Sequence, residues 1–538
     1  MATKNVTTSI QPSSPQGEFA NQPFTDFKAS ENARKMHTAL EFVFSQLGRE
    51  YDLVIGGRRI KTEDKIRSLN PARPAQIVGI HQKAGAEHAQ QAIAAARRAF
   101  ESWSRTTVES RTSLLLNAAR IIRSRSFVFC AWLTYEVGKN WAEADADVGE
   151  TIDFLEFYAR EALRLAGSQT PIQFPGERCE LHYIPLGVGA VIPPWNFPFA
   201  IMAGMTAAAI VSGNTVILKP SSDAPTIAAL FVHLLEEAGL PPGVVNFCPG
   251  SGATFGNAIV EDPKTRFISF TGSKKVGLEI HERAAKAKPN QIWLKRTILE
   301  MGGKDSILVC ADADLDAAVE GVAASAFGFS GQKCSACSRA IVEEPIYNSF
   351  IDKLLERLAK LTVGDPVANH NLGPVINKAA LDSMLAYIEI GKKEGRLIAG
   401  GKAPATADGG YFLEPTVFAD VAPNAKLAQE EIFGPVLAVI PFDGEEEAIA
   451  IANDTIYGLG AGIWTRDLAR ANRVAKAIRA GMVWVNTYNQ SPGYTPWGGY
   501  KASGAGRERG EHGLYEFTEL KSVVFDASGE PLGFYPAP

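Results

Sequence analysis

Two cysteines stand three positions apart in GFSGQKCSACSR, residues 328–339, and Cys-x-x-Cys is compatible with several chemistries. A redox dithiol should open a helix directly after a strand, and the preceding Ser-Gly-Gln does not read as a strand end. A zinc site needs a second Cys/His pair at finger or ribbon spacing; the chain has none, so no metal is expected. One working thiol with a bystander is a third reading. Gly328, Ser330 and Gly331 are small enough to let backbone approach a ligand, and Lys333 sets a positive charge beside Cys334. Both features favour a thiolate. An inert buried cysteine is compatible with the same stretch.

Other residues along the chain are of the types such a thiol would need. Glu300, in LEMGGKD, precedes two glycines that leave room for a carboxylate to swing, as a general base requires; a cap or an ion pair is the plainer reading. Asn196 lies between proline breaks in PPWNFP, where a buried amide is either satisfied within its loop or offered to an oxyanion. Lys219 closes the strand-like VILKPS. A basic group there lies where doubly wound sheets hold cofactors, unless it is simply solvated. The stretch GSGATFG, containing Gly252, misses the dinucleotide fingerprint by one position. Ser273, in FTGS, opens a helix, where it either donates to a pyrophosphate or serves as a plain N-cap.

The elements that must position these residues follow from apolar periodicity. Between Glu87 and Ala166 the apolar residues recur at helical spacing, beginning with Ile93, Ala96, Phe100 and Trp103, and no strand signal intervenes. Past Leu186, short apolar strands (GVGAVIPP, NTVILKP, VVNFCPG, RFISFTGS) alternate with helices. That alternation implies right-handed βαβ units and a parallel sheet. The helix in SSDAPTIAALFVHLLEEAGLPPG carries Ser and Asp as capping candidates, with Gly239 just past its end. A second α/β stretch runs from LEMGGKDSILVC to GMVWVN, and KSVVFDA is the final strand.

Composition excludes several partners. The chain has 538 residues, enough for two or three domains, with 46% hydrophobic and 21% charged residues and a net charge of −5. No basic stripe offers a nucleic-acid footprint. Six scattered cysteines fit a reducing, cytoplasmic setting. The most membrane-like run, FAIMAGMTAAAIVSGNTVIL, is broken by Gly204, Thr206 and Ser212–Asn214, so it reads as a buried helix and strand, not a membrane span. The N-terminus lacks signal- and transit-peptide features and reads as a flexible lead through residue 37.

The order and spacing of PPWNFP, ILKPS, FTGS, LEMGGK, GQKCS, EEIFGPV and PWGGYKASG resemble the aldehyde dehydrogenase superfamily, from about Leu53 to Phe525. The resemblance implies an α/β fold with a Rossmann-like cofactor domain (38–166 and 186–297), an α/β catalytic domain (298–485), and a protruding β-flap with the C-terminal tail (167–185 and 486–538). The flap implies a homo-oligomer. It further implies Cys334 as nucleophile toward a small aldehyde, Asn196 as oxyanion donor and Glu300 as the base that activates water. Lys219 would reach the adenosine ribose, Gly252 and Ser273 would line the cofactor site, and Glu431 and Phe433 would hold the nicotinamide ribose. Ser222 stands where strongly NAD-selective members often carry Glu, so NAD is the expected cofactor and NADP is not excluded.

Within that superfamily, YEVGKNWAEADADVGETIDFLEFYAREALR, NQIWLKRTILEMGGKD and YIEIGKKEGRLIAGGK are similar to the L-glutamate γ-semialdehyde (1-pyrroline-5-carboxylate) dehydrogenases. This implies a glutamate-forming step of proline degradation, with Ser335 as a substrate contact. One region departs. NTYNQSPGYTPWGGYKASGAGRERG looks like broad-specificity or betaine-aldehyde enzymes, with Gly493 still able to offer an N–H and Tyr488, Tyr494 and Trp497 giving an aromatic surround. Cys337 then reads as a packing residue, or as a resolving thiol for oxidised Cys334.

Overall fold

The computed structural model describes residues 18–167, 171, 173–404, 409–490 and 492–529. The strand–helix alternation past Leu186 builds an eight-stranded sheet. Its spatial order is Gly504–Ala505, Arg296–Glu300, Phe267–Thr271, Val188–Ile192, Thr215–Leu218, Val245–Phe247, Leu53–Ile55, Arg58–Ile60. The five central strands are parallel, as crossover helices require. Four of them, Val188–Ile192, Thr215–Leu218, Val245–Phe247 and Phe267–Thr271, are buried along their whole length, as in a sheet covered on both faces, while Arg296–Glu300 starts half-buried at Arg296 and Thr297. From Val188–Ile192 the chain proceeds to one side of the sheet, and from Phe267–Thr271 to the other. The gap between these two strands is a topological switch point, where ligands of such sheets bind.

A second, seven-stranded sheet has the order Arg396–Ala399, Thr416–Ala419, Val436–Phe442, Arg339–Glu343, Ser306–Val309, Gly460–Trp464, Met482–Val485. All its pairs are parallel except that of Arg396–Ala399 with its neighbour. A two-stranded ribbon pairs Glu177–Pro185 antiparallel with Thr518–Asp526, and leaves Leu520, Val524 and Phe525 exposed. Among the described residues no helix is long and apolar enough to cross a membrane. The run flagged for its hydropathy is the buried helix Ala200–Val211 followed by the strand Thr215–Leu218.

Three expectations need correction. A domain division at 297/298 would cut the strand Arg296–Glu300, which belongs wholly to the first sheet; the crossover to the second sheet is residues 301–305. A flexible lead through residue 37 does not hold: Ser30–Phe44 is a helix that buries Met36, Leu40 and Val43; the part of that expectation on residues 1–17 lies outside the described residues. The helix Pro225–Glu237 is not capped by its own Ser or Asp. Its first amides, those of Thr226 and Ile227, donate to the two oxygens of Glu136 at 2.6 and 2.8 Å, and Pro225 occupies the first turn.

Candidate active site

The two sheets meet end to end. First-sheet residues enter the junction at or past the carboxyl ends of their strands: Asn196 after Val188–Ile192, Lys219 after Thr215–Leu218, Ser273 after Phe267–Thr271, and Glu300 as the last residue of its own. Second-sheet residues enter ahead of their strands: Cys334 before Arg339–Glu343, and Glu431 and Phe433 before Val436–Phe442. A cleft of about 770 Å³ opens there, lined by Asn196, Lys219, Ser222, Gly252, Ser273, Cys334, Glu431 and Phe433.

Cys334 sits on a loop held in an unusual shape. Phe329, Ser330 and Gly331 have φ of 49°, 53° and 67°, a left-handed run that non-glycine residues resist. Side-chain bonds hold it: Gln332 Nε2 donates to the carbonyls of Phe329 and Pro374 (3.2 and 3.3 Å), Gln332 Oε1 accepts from Ile376 N (2.8 Å), and Ser330 Oγ donates to Gly373 O (2.7 Å). Gly331 permits close passage, since a Cβ there would lie 2.2 Å from Gly434 O. Asn196, 4% exposed, donates from Nδ2 to Gln332 O at 3.1 Å, which fixes its amide two residues from the thiol. Burial pushes the Cys334 thiol upward, and the carboxylates of Asp305, Glu300 and Glu431 add to this. Lys333 does not offset them, contrary to the sequence reading, because its ammonium pairs with Glu143 at 2.7 Å.

Glu300 is 3% exposed, and neither of its oxygens finds a hydrogen bond among the described residues. Burial raises its pKa well above the carboxylate range, with a further push from Glu508 and an opposing pull from Arg507. Glu508 is itself buried and raised to about 7. Two carboxyls in one dry region cannot both ionise cheaply, so one proton is retained between them. Sequence reading missed Glu508. It arrives from the C-terminal segment, where a backbone bridge to Trp497 holds it (2.7 and 2.8 Å).

The glycines after Glu300 serve close approach. A Cβ on Gly302 would lie 2.1 Å from a Glu431 oxygen, and one on Gly303 would lie 2.3 Å from Cys334 O. Glu431 accepts from Gly303 N at 2.9 Å, and burial raises its pKa to about 7. Phe433, at φ 58°, stands edge-on to Trp195 at 5.5 Å.

The cleft fits a dinucleotide. Gly252 opens a π-turn, Gly252–Gly256, and a Cβ on Gly252 would meet no protein atom within 4 Å. The Lys219 ammonium is buried, lowered to about 8 by that burial, and donates only to Pro220 O (3.3 Å) among the described residues, leaving protons for ligand oxygens. Ser273 is an N-cap that accepts from Val276 N at 3.4 Å, so its own hydroxyl proton remains free to donate.

Three expected residues are not in this cleft's lining. Glu300 is one of them, buried behind it as the last residue of its strand. Ser335 follows Cys334, half-buried, and is not in the cleft lining. Gly493 is buried against Phe19 and Asp153. Cys337 is in the second domain's core, its Sγ 3.5 Å from Arg339 O and its amide donating to Ser325 Oγ, which favours the packing role. All six cysteines are free thiols, and no cluster of potential metal ligands occurs among the described residues.

The long helix Trp141–Ala166 was also missed as a positioning element. Asp147 accepts from Ala200 N (2.7 Å) and pairs with Lys139 (2.9 Å), whose ammonium lies 3.6 Å from the centre of the Phe197 ring. Asp145, Asp147 and Asp153 are all buried, among the apolar residues that this helix turns to the core.

Fold and cleft together define a two-domain α/β enzyme with a dinucleotide-type site and a thiol at the domain junction. The aldehyde dehydrogenase family model matches residues 59–523, and the chain belongs to that family. It is 51% identical over 495 residues to the 1-pyrroline-5-carboxylate dehydrogenase of Geobacillus thermodenitrificans, covering 91% of this chain and 96% of that one. The solved 1-pyrroline-5-carboxylate dehydrogenase from Thermus with bound NAD superposes with a TM-score of 0.92 at 45% identity, covering 95% of this chain and 99% of that one. Betaine aldehyde dehydrogenase from Staphylococcus aureus in complex with NAD+ gives 0.87 at 31% identity, covering 94% and 100%.

Proposed function

We propose that this enzyme oxidises L-glutamate γ-semialdehyde, the open form of 1-pyrroline-5-carboxylate, to L-glutamate with NAD. The observation that supports this best is the convergence of thiol, amide and ribose-type carboxylate on one cleft, in a chain half identical to relatives so named. Lys219, Ser222, Gly252, Ser273, Glu431 and Phe433 hold NAD, which supplies the two-electron acceptor when bound.

Cys334, once deprotonated, adds to the aldehyde carbon and forms a thiohemiacetal. Asn196 Nδ2 and the Cys334 N–H donate to the oxyanion. Oxidation leaves a thioester on Cys334. Glu300, its basicity raised by burial, takes a proton from water. The hydroxide equivalent attacks the acyl carbon, the C–S bond breaks, and glutamate leaves. Ser335 and the Gly493 N–H meet the amino-acid end of the substrate.

The aromatic cluster around Trp484, with Tyr488 at 4.5 Å and Trp497 at 6.0 Å, favours a second reading, a betaine-aldehyde-like or broad specificity. Steady-state kinetics on 1-pyrroline-5-carboxylate, succinate semialdehyde, betaine aldehyde and aliphatic aldehydes separates the two. The first reading requires the highest kcat/KM for 1-pyrroline-5-carboxylate; a higher value for betaine aldehyde replaces it. We also assign the protein to the cytoplasm as a homo-oligomer, supported by its free thiols and the exposed apolar side chains of the ribbon.

A further inference from the structure

The segment from Phe19 to Phe27 crosses the long helix Trp141–Ala166 and is bonded to it more closely than a surface tail requires. Asn21 Nδ2 and Gln22 N donate to the two oxygens of Asp153 at 2.7 and 2.6 Å. Thr25 N and Oγ1 donate to the two oxygens of Asp145, both at 2.7 Å. Both carboxyls are buried, at 7% and 9% exposure, and burial raises both pKa values, that of Asp153 to about 6. A buried carboxylate with every oxygen matched by a donor holds its partner in one geometry.

Phe19 is the consequence of that geometry. It stands edge-on to Phe157 at 5.3 Å, and its ring comes within 3.3 Å of where a Cβ on Gly493 would be. The Asp153 Cβ lies 3.9 Å from the same point. Gly493 is thus seated on a floor made by residues remote in sequence. Its own carbonyl accepts from Gly510 N at 3.1 Å. The surrounding segment, between the strands Met482–Val485 and Gly504–Ala505, contains no strand or α-helix among its described residues, only the bridge of Trp497 to Glu508 and a short 3₁₀ turn at Lys501–Ser503. A loop amide recognises a carboxylate only when held to about half an ångström, so the rigidity must come from outside the loop.

We propose that Phe19, clamped through Asp153, is a positioning residue that sets the Gly493 loop for the amino-acid end of the substrate, an inference that rests on the substrate reading above. The N-terminal segment then acts on selectivity without touching substrate. Its contribution is uniform binding of a remote group, so it acts on KM and leaves kcat alone.

The test uses the full chain with Phe19→Ala, Phe19→Leu and Asp153→Asn, assayed on 1-pyrroline-5-carboxylate and on propanal, which lacks the amino-acid end. Phe19→Ala should raise KM for 1-pyrroline-5-carboxylate about tenfold while kcat, the NAD KM and propanal kcat/KM stay within about twofold. Phe19→Leu should recover most of the loss, and Asp153→Asn should follow Phe19→Ala in direction. A loss shared equally by both substrates, or no change for either, overturns the positioning role. Failure of the unmodified enzyme to prefer 1-pyrroline-5-carboxylate over propanal overturns the substrate reading and this inference with it. A preference that Phe19→Ala leaves undiminished overturns the inference alone.

Discussion

Replacing Gly302 by alanine should weaken NAD binding without unfolding the protein. Gly302 is not among the positive-φ glycines, so its backbone accepts alanine and the effect comes from contact alone. The new methyl would lie 2.1 Å from one Glu431 oxygen and 2.5 Å from the other and from Cδ, well inside any tolerated separation. The carboxylate must move, and it loses the 2.9 Å bond from Gly303 N. A hydrogen bond to a charged group is worth about 1.5–3 kcal/mol. If Glu431 must hold that position to grip the nicotinamide ribose, most of this loss appears in the complex, as roughly a ten- to hundredfold rise in Kd. Isothermal titration of the variant with NAD reads it directly, and Gly302→Ala with Glu431→Ala forms a cycle. The two changes should be strongly non-additive, because the first acts through the second. An unchanged Kd, or fully additive losses, would refute the assignment of Glu431 to the cofactor.

Asn196→Ala should lower kcat by about 10²–10³-fold with a small effect on the NAD Kd, as removal of one oxyanion donor does elsewhere, and stopped-flow absorbance checks it. Because Gln332 O also loses its donor, Asn196→Asp, close in shape but charged, should be no better. Glu508→Gln should stabilise the enzyme at pH 8, on the order of 2 kcal/mol, read by denaturant titration. The sign follows from a folded-state pKa raised from 4.5 to about 7: the folded state binds the extra proton, so stability falls as pH rises through that interval, and the variant should lack that slope. The same variant should shift the acidic limb of the hydrolytic rate, since it removes the carboxyl that shares a proton with Glu300.

How far the sequence carried the reading can be judged from particular residues. Lys219, Asn196 and Ser273 were legible because they sit at or just past the ends of apolar strands, where local pattern and general topology point to a ligand. Cys334 drew notice from its small and basic neighbours, which left an inert cysteine equally open until the family motif was read; Glu431 and Phe433 precede their strand, where position alone says little, and only the motif singled them out. The glycines of LEMGGK were noticed for the wrong reason. They admit Glu431 and the Cys334 backbone, contacts set by tertiary packing that local spacing does not encode. The same limit hid Glu136 as the cap of Pro225–Glu237, Glu143 as the partner of Lys333, and Glu508 beside Glu300. Each couples segments some ninety to two hundred positions apart, and none leaves a periodic trace. The ordered crossing of Phe19–Phe27 over the long helix was illegible for a further reason: its three phenylalanines follow neither helical nor strand spacing and are interleaved with Asn, Gln, Pro, Thr and Asp, and only the buried Asp145 and Asp153 reveal what it bonds to.

The central claim is a thioester on Cys334 that Glu300 is needed to hydrolyse. The most direct measurement mixes Glu300→Gln with 1-pyrroline-5-carboxylate and NAD, follows NADH by stopped flow, and maps the quenched protein by mass spectrometry. The account predicts a burst of about one NADH per subunit, negligible turnover after it, and a glutamyl thioester on the peptide carrying Cys334. Continued turnover at the unmodified rate, or an acyl group on any other residue, would contradict it.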